Sequence, residues 1–274
     1  MLRRIFGTLH LDDTPLPEAS LALEREGFAV LRGVLDGSTV DRLRDETTTV
    51  FAEVGPERGR PDAGQFRYEM FNRSPTAREA IAHPRILGAI EPLLGEDCHV
   101  IANTAWRNPP EFRGQGWHTD AGPHVPRPEG VPWDDRIPYP VFAIACHILL
   151  SEVTEAEGMT AVIPGSHRSG RGVPFDQMGT DDLTCDGRSP VPLGGAPGDV
   201  VLFVSDCWHR GLPADRSRSR GRDFLQVHYA RRDIAQRVRT TAVVNHVDPA
   251  IVADLTDPRQ RTLLGLHDAF FYDG

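Results

Sequence analysis

Val200-Val-Leu-Phe-Val-Ser-Asp-Cys-Trp-His209 opens with five consecutive apolar residues and closes on a histidine. The apolar run is short and rich in β-branched and aromatic residues, so it reads as a strand buried on both faces. Runs of the same character recur over 99–107, 141–150, 159–163 and 223–229, separated by Pro- and Gly-rich turns. Short strands that follow one another without long intervening helices predict an antiparallel sandwich or barrel rather than a parallel sheet. The strand over 199–204 then presents His209 at its end.

Outside this β-rich half the periodicity is helical. Residues 18–26 read as a short helix closed by Gly27, and 28–35 as an entry strand. Ser38 is placed to cap a helix over 39–54, where Val40, Leu43, Thr47 and Val50 share one face. Ser74 precedes a helix over 77–82, His83-Pro84 starts another over 85–94, and 258–267 reads as a last one. The aromatics of 268–274 are expected to pack back on the core. The fold class is mainly β with flanking helices. No Gly/Ser- or Pro-rich linker divides the chain, so 1–274 is read as one domain. Its parts are a helical N-terminal portion at 16–95, a β core at 98–232 and a C-terminal extension at 233–274. Two Pro-rich stretches, 123–140 and 168–197, read as long loops of the kind that form lids or binding edges.

The chain has 274 residues, 39% hydrophobic and 25% charged, with a formal net charge of −9. That balance argues against a general affinity for nucleic acid or anionic membranes. Lysine is absent, and the basic residues Arg216, Arg218, Arg220 and Arg222 cluster locally. Cys98, Cys146, Cys185 and Cys207 are scattered without a CxxC pair, which points to a reducing compartment and to neither a zinc ribbon nor a disulfide framework. Cys146 and Cys207 fall in apolar runs and read as small buried hydrophobes. The first residues lack the apolar stretch of a secretory signal, and no run is long enough to span a bilayer. A cytoplasmic protein is the expectation, with its oligomeric state open.

His118-Thr-Asp120 carries the chemistry. Residues i and i+2 of an extended segment point to the same side, so His118 and Asp120 can grip one ion while Thr119 faces away. His209, delivered by another strand, completes a set of two imidazoles and one carboxylate. This donor set holds non-haem Fe(II) while leaving coordination positions open.

Four motifs in order extend this set: Gln115-Gly-Trp-His118-Thr-Asp120, Glu157-Gly-Met-Thr160-Ala-Val-Ile-Pro-Gly-Ser-His167, Trp208-His209 and Arg222-Asp-Phe-Leu-Gln-Val-His-Tyr229. Together with the early Glu26-Gly-Phe segment, over about residues 20–230, they resemble the phytanoyl-CoA dioxygenase family of Fe(II)/2-oxoglutarate-dependent oxygenases. The resemblance implies a double-stranded β-helix, the jelly roll of cupin-like proteins, with helices outside. It implies His118, Asp120 and His209 as iron ligands and Arg222 as the partner of the far carboxylate of 2-oxoglutarate. A planar guanidinium suits that task, since it pairs bidentately and stays charged when buried. Arg220 is the second candidate, closer to the spacing from His209 in relatives, while Arg216 and Arg218 read as solvated loop charges.

Gln115 and Thr160 match positions that hold the cosubstrate in relatives. Glu157 stands where relatives often have Asn, a position that shapes a turn. Halogenating relatives replace the carboxylate ligand by a small residue, so Asp120 favours oxygenation. The implied reaction consumes O2 and 2-oxoglutarate, yields succinate and CO2, and hydroxylates an unactivated C–H bond of a small molecule, such as a secondary-metabolite intermediate. Desaturation, epoxidation or rearrangement at the same site, and a non-catalytic metal-binding jelly roll, are the alternatives. Asn103, Trp106 and Trp133 are candidates for positioning the substrate. His167 and His228 are read as packed structural residues, His147 as a core histidine with a pocket-facing role as the alternative, and His124 as solvent-exposed.

Overall fold

The computed structural model describes residues 15–54, 63–236 and 247–267. The N-terminal portion holds helices α1 (Glu18–Glu26), α2 (Gly37–Val54), α3 (Met70–Arg73), α4 (Pro75–Ile81) and α5 (Pro84–Leu94), with strands β1 (Phe28–Leu31) and β2 (Gln65–Tyr68) between them. The core follows as β3 (His99–Asn108), β4 (Ala143–Leu149), β5 (Thr160–Val162), β6 (Val191–Leu193), β7 (Val200–Val204), β8 (His209–Gly211) and β9 (Arg222–Ala230). Helices α6 (Pro249–Asp254) and α7 (Pro258–Leu263) lie in the C-terminal extension.

The strands form two antiparallel sheets. The larger has the order β1-β7-β4-β9-β3-β2 and the smaller β6-β5-β8. This is the expected jelly roll. Strand alternation divides the larger sheet's residues between two environments. Cys146, Ile148, Leu202, Leu225 and Val227 face the helices and share one core with Leu43, Val50, Ile86 and Ile90. Ala145, Val201, Phe203 and Phe224 face the smaller sheet and pack on Val162 and Leu193. The metal-ligating candidates sit at the edge of this second layer.

Several local expectations change. Helix α2 starts at Gly37 and is capped by Asp36, whose Oδ1 accepts from the Thr39 N–H (2.8 Å) and the Ser38 hydroxyl (2.7 Å), so Ser38 is the capped residue and not the cap. A carboxylate two residues earlier caps the first turn and suits the positive end of the helix better. Ser74 does cap α4, accepting from Ala77 N. The stretch 168–197 is not wholly loop, because Val191–Leu193 pairs with β5. Helix α7 ends at Leu263, short of the expected 267. The expected packing of 268–274 lies outside the described residues. All four cysteines are free and buried, and no helix among the described residues is long and apolar enough to cross a membrane.

Candidate metal centre

His118 and His209 are bound to each other through the backbone. Each donates its N–H to the other's carbonyl, at 3.0 and 2.9 Å, as an isolated antiparallel bridge on the edge of β8. The His118 segment is therefore extended as predicted but forms only this bridge, not a strand. Asp120 is held by its N–H on the Ser205 carbonyl at 3.1 Å. One ligand atom from each of His118, Asp120 and His209 falls within 4.8 Å of the other two. The two rings are 4.3 Å apart between centroids, and His209 Nε2 is 3.6 Å from Asp120 Oδ1.

The ring nitrogens that face away from this point are engaged. His118 Nδ1 donates to the Gly116 carbonyl at 2.8 Å and His209 Nδ1 to the Cys207 carbonyl at 2.9 Å. A proton fixed on each Nδ1 leaves each Nε2 as a lone pair, the tautomer a metal requires. Burial pushes the Asp120 carboxyl up, but the nearby His209 and His228 charges outweigh it and hold the group well below the usual carboxylate range. For His209, burial lowers the pKa and the Asp120 carboxylate reverses this, leaving it raised. His118 is lowered, by burial first and the His209 charge second. Two neutral-capable imidazoles and an ionised carboxylate converging on one point fit a divalent iron.

Arg222 lies on the same inner face. It is buried, and no carboxylate among the described residues pairs with it. Its Nε and Nη2 reach the Asn108 amide oxygen at 3.0 and 3.3 Å, with the amide turned to satisfy both groups, and Nη1 reaches Thr160 Oγ1 at 3.5 Å. Three of the five guanidinium N–H groups are so used, which leaves one on each terminal nitrogen for a carboxylate. The Phe224 and Phe112 rings flank it at 5.1 and 6.0 Å. Burial lowers its pKa to about 10, so it remains a cation at neutral pH. Arg220, Arg216 and Arg218 are exposed, which favours Arg222 over Arg220 for an anion held inside.

Gly211 explains how Gln115 reaches the same place. A methyl on Gly211 would lie 3.1 Å from Gln115 Oε1 and 3.2 Å from Arg222 Nη2, so the missing side chain lets both approach β8. Gln115 Oε1 accepts from the Gly211 N–H at 3.2 Å. Thr160 sits opposite Gly211 in β5. The turn ahead of it is shaped by Glu157, whose carboxylate accepts from Thr154 N and Oγ1. It also needs Gly158 at φ +74, where a methyl would strike the Leu212 carbonyl at 2.4 Å.

Not every candidate reaches the site. Trp106 faces inward, stacked on Phe224 and donating Nε1–H to Gln226 Oε1 at 2.7 Å. Asn103 does not share that face. It pairs with Val227, which packs on the helices, and its amide donates to the Gln226 carbonyl at 3.2 Å. Trp133 packs against Tyr139 and the helix-side core and donates to the Ile137 carbonyl. His124, expected in solvent, instead contacts Asp206 Oδ1 at 2.5 Å and stacks on Phe142. Along β9 the side chains of Arg222, Phe224, Gln226 and His228 alternate inward, and His228 Nε2 lies 3.2 Å from Asp120 Oδ2. His147 takes the inward orientation, against Gln226 and Thr160. Gln226 was not among the candidates, although even spacing from Arg222 would have found it. His167 is structural as expected, its Nε2 bonded to the Glu24 carbonyl.

Comparison with known proteins gives the family and the fold. Residues 23–221 match the phytanoyl-CoA dioxygenase (PhyH) family, and the chain belongs to that family. It is an oxidoreductase of the dioxygenase class. Arg222 falls one residue beyond the matched stretch, so its assignment rests on the geometry above. The chain is 25% identical over 232 residues to Dioxygenase cdmD of Talaromyces verruculosus, covering 74% of this chain and 70% of that one. It is 25% identical over 174 residues to the ectoine dioxygenase of Bordetella parapertussis, covering 60% of this chain and 53%, about half, of that protein's length. Among solved structures, the non-haem α-ketoglutarate-dependent epimerase SnoN of nogalamycin biosynthesis shares the fold, with a TM-score of 0.64 at 20% identity over 89% of this chain and 92% of that one.

Proposed function

We propose that the protein is an Fe(II)- and 2-oxoglutarate-dependent dioxygenase, a single catalytic unit that hydroxylates an unactivated C–H bond of a small molecule. The observation that carries the reading is a buried guanidinium that no carboxylate among the described residues pairs with, on the barrel's inner face with three converging ligand atoms, each imidazole with its outer nitrogen already occupied. His118 Nε2, Asp120 and His209 Nε2 would hold the iron, and Arg222 the distal carboxylate of 2-oxoglutarate, with Thr160 and Gln115 beside it. Iron bound there supplies O2 activation coupled to oxidative decarboxylation of 2-oxoglutarate, which yields succinate and CO2.

The chain's own residues bind, orient and exclude water. Phe112 and Phe224 shield the guanidinium, so its attraction for a carboxylate acts in a low-dielectric setting. The ring orientations are fixed before any ligand arrives, because the Gly116 and Cys207 carbonyls hold the outer nitrogens. Trp106 lines the inner face and is the remaining aromatic candidate for packing a substrate. A purely metal-binding jelly roll would have no use for an uncompensated buried cation. The small-molecule substrates implied by the relatives' names, ectoine among them, support the substrate class only.

The test is conversion of 2-oxoglutarate to succinate by Fe(II)-loaded protein, with O2 uptake, and its loss in His118→Ala and Arg222→Gln. Incorporation of one oxygen atom from O2 into a product distinguishes hydroxylation from desaturation or rearrangement. Absence of both turnover and 2-oxoglutarate binding would refute the proposal.

A further inference from the structure

A line of hydrogen bonds runs along the inner face behind Arg222. Trp106 Nε1 is 2.7 Å from Gln226 Oε1, Gln226 Nε2 is 3.3 Å from His147 Nε2, and His147 Nδ1 is 3.4 Å from Thr160 Oγ1. Arg222 Nη1 approaches the same hydroxyl oxygen at 3.5 Å. The direction of every bond follows from the two ends. An indole N–H only donates, so the Gln226 atom facing it is the carbonyl oxygen and the amide nitrogen faces His147. An amide nitrogen only donates, so His147 Nε2 accepts. Deep burial pushes the His147 pKa well down, so the ring is neutral and its one proton sits on Nδ1. Thr160 Oγ1 therefore receives one hydrogen from His147 and another from Arg222, which fills both lone pairs. Its own hydrogen has no acceptor left in this line.

We infer that Trp106, Gln226 and His147 form a tautomer-setting relay that makes the Thr160 hydroxyl an obligate donor toward the anion held on Arg222. The inference deepens the proposed function and rests on its assignment of Arg222. Gln226 and His147 are positioning residues, acting through Thr160. Two guanidinium N–H groups and one O–H then converge with no acceptor among them. Such a set selects the terminal carboxylate of a 2-oxo diacid over the corresponding amide, whose NH2 would meet donors.

Two measurements test it. Nitrogen-15 NMR of metal-free protein labelled at histidine, with the His147 signals identified by their loss in His147→Asn, reports the tautomer directly. A protonated Nδ1 and an unprotonated Nε2 are expected, and the opposite pattern would overturn the relay. Binding of 2-oxoglutarate and of 2-oxoglutaramate to Fe(II)-loaded protein under argon is the second. Loss of a hydrogen bond to a charged group predicts weakening of 2-oxoglutarate on the order of tenfold in Thr160→Val and in Gln226→Leu, with a smaller preference over the amide in both. In Gln226→Leu the His147 proton should also move to Nε2, freeing Nδ1 to accept from Thr160. Unchanged affinity and selectivity in Thr160→Val, with affinity lost in Arg222→Gln, would overturn the relay while leaving the anchor standing. Unchanged affinity in Arg222→Gln would instead overturn the anchor, and with it the proposed cosubstrate site.

Discussion

Replacing Arg222 by methionine separates the idea of a waiting anion site from that of an ordinary buried salt bridge. Burial lowers the Arg222 pKa from 12.5 to about 10. At 1.36 kcal/mol per unit, the charge costs the folded state about 3 kcal/mol in lost hydration. The contacts that offset this are few: one amide oxygen shared by two N–H groups, a hydroxyl at 3.5 Å and two aromatic rings. Together they recover roughly the same amount, taking about 1–2 kcal/mol for the hydrogen bonds and about 1 kcal/mol for the rings. Arg222→Met is thus expected to change ligand-free stability by less than about 1 kcal/mol, or a few degrees in melting temperature for a chain of this size. Breaking a compensated buried ion pair would cost about 3–5 kcal/mol instead. The assay is thermal or urea unfolding of the metal-free protein with and without 2-oxoglutarate. At a hundredfold excess over Kd the ligand should add about 2.7 kcal/mol to the wild type and nothing to the variant. A ligand-free loss of 3 kcal/mol or more would refute the reasoning, because the charge would then be fully compensated within the fold.

Gly211→Ala puts a methyl against Gln115 and Arg222 and should weaken 2-oxoglutarate by about tenfold with little change in melting temperature; equal affinity by calorimetry would count against this placement of the anion. His124→Ala leaves the buried Asp206 carboxylate without its imidazole partner, so a loss of about 2 kcal/mol is expected in urea unfolding, together with faster proteolysis within 123–140. The His99 and His267 rings meet at 2.9 Å, His99 lowered by burial and His267 lowered to about 4 by burial and then by His99. Both pKa values are depressed, so the contact is fully formed above the unfolded value near 6.5 and is lost as pH falls toward about 4. Hydrogen exchange over 258–266 should accelerate in that window, and exchange with only the intrinsic pH dependence would show that the pair does not hold the segment.

That His118, Asp120 and His209 would converge was only partly legible. The i, i+2 rule applies to any extended segment, whereas His209, expected at the end of the strand over 199–204, instead opens the separate strand β8 of the smaller sheet and is positioned by Val162 of β5 and by the bridge to His118. Arg222 stood out through its seven-residue separation from Tyr229, and its burial, against the exposure of Arg220, favours it as the proposed anchor. Asn103 and Trp106 illustrate the limit. Their odd separation puts them on opposite faces of one strand, so both could not serve the site, and the register shift between Val100 and Ala102 hides which one does. Strands β2, β6 and β8 have three or four residues each. Such lengths carry too little periodicity to read, and they exist because a neighbouring strand offers its free edge. Gln226 escaped, and His147 was left between a core and a pocket-facing role, because an amide or imidazole within an apolar run gives no sign of which partner it will meet.

In the proposed iron site, the reciprocal backbone bridge between His118 and His209 limits how the ligands can adapt to an ion. In a hydrogen-bonded antiparallel pair the two Cα atoms stand about 5.5 Å apart whatever the side chains are, so the points from which the two rings project are set by the sheet. An ion of different size can change the nitrogen bite only by turning the rings, against the Nδ1 bonds to the Gly116 and Cys207 carbonyls. Adjustment falls to Asp120, whose backbone is held by one N–H on Ser205 and whose carboxylate faces the His209 and His228 rings. Metal exchange should therefore register as a swing of one carboxylate against a stationary pair of rings, making position 120 the natural point at which to re-engineer the chemistry.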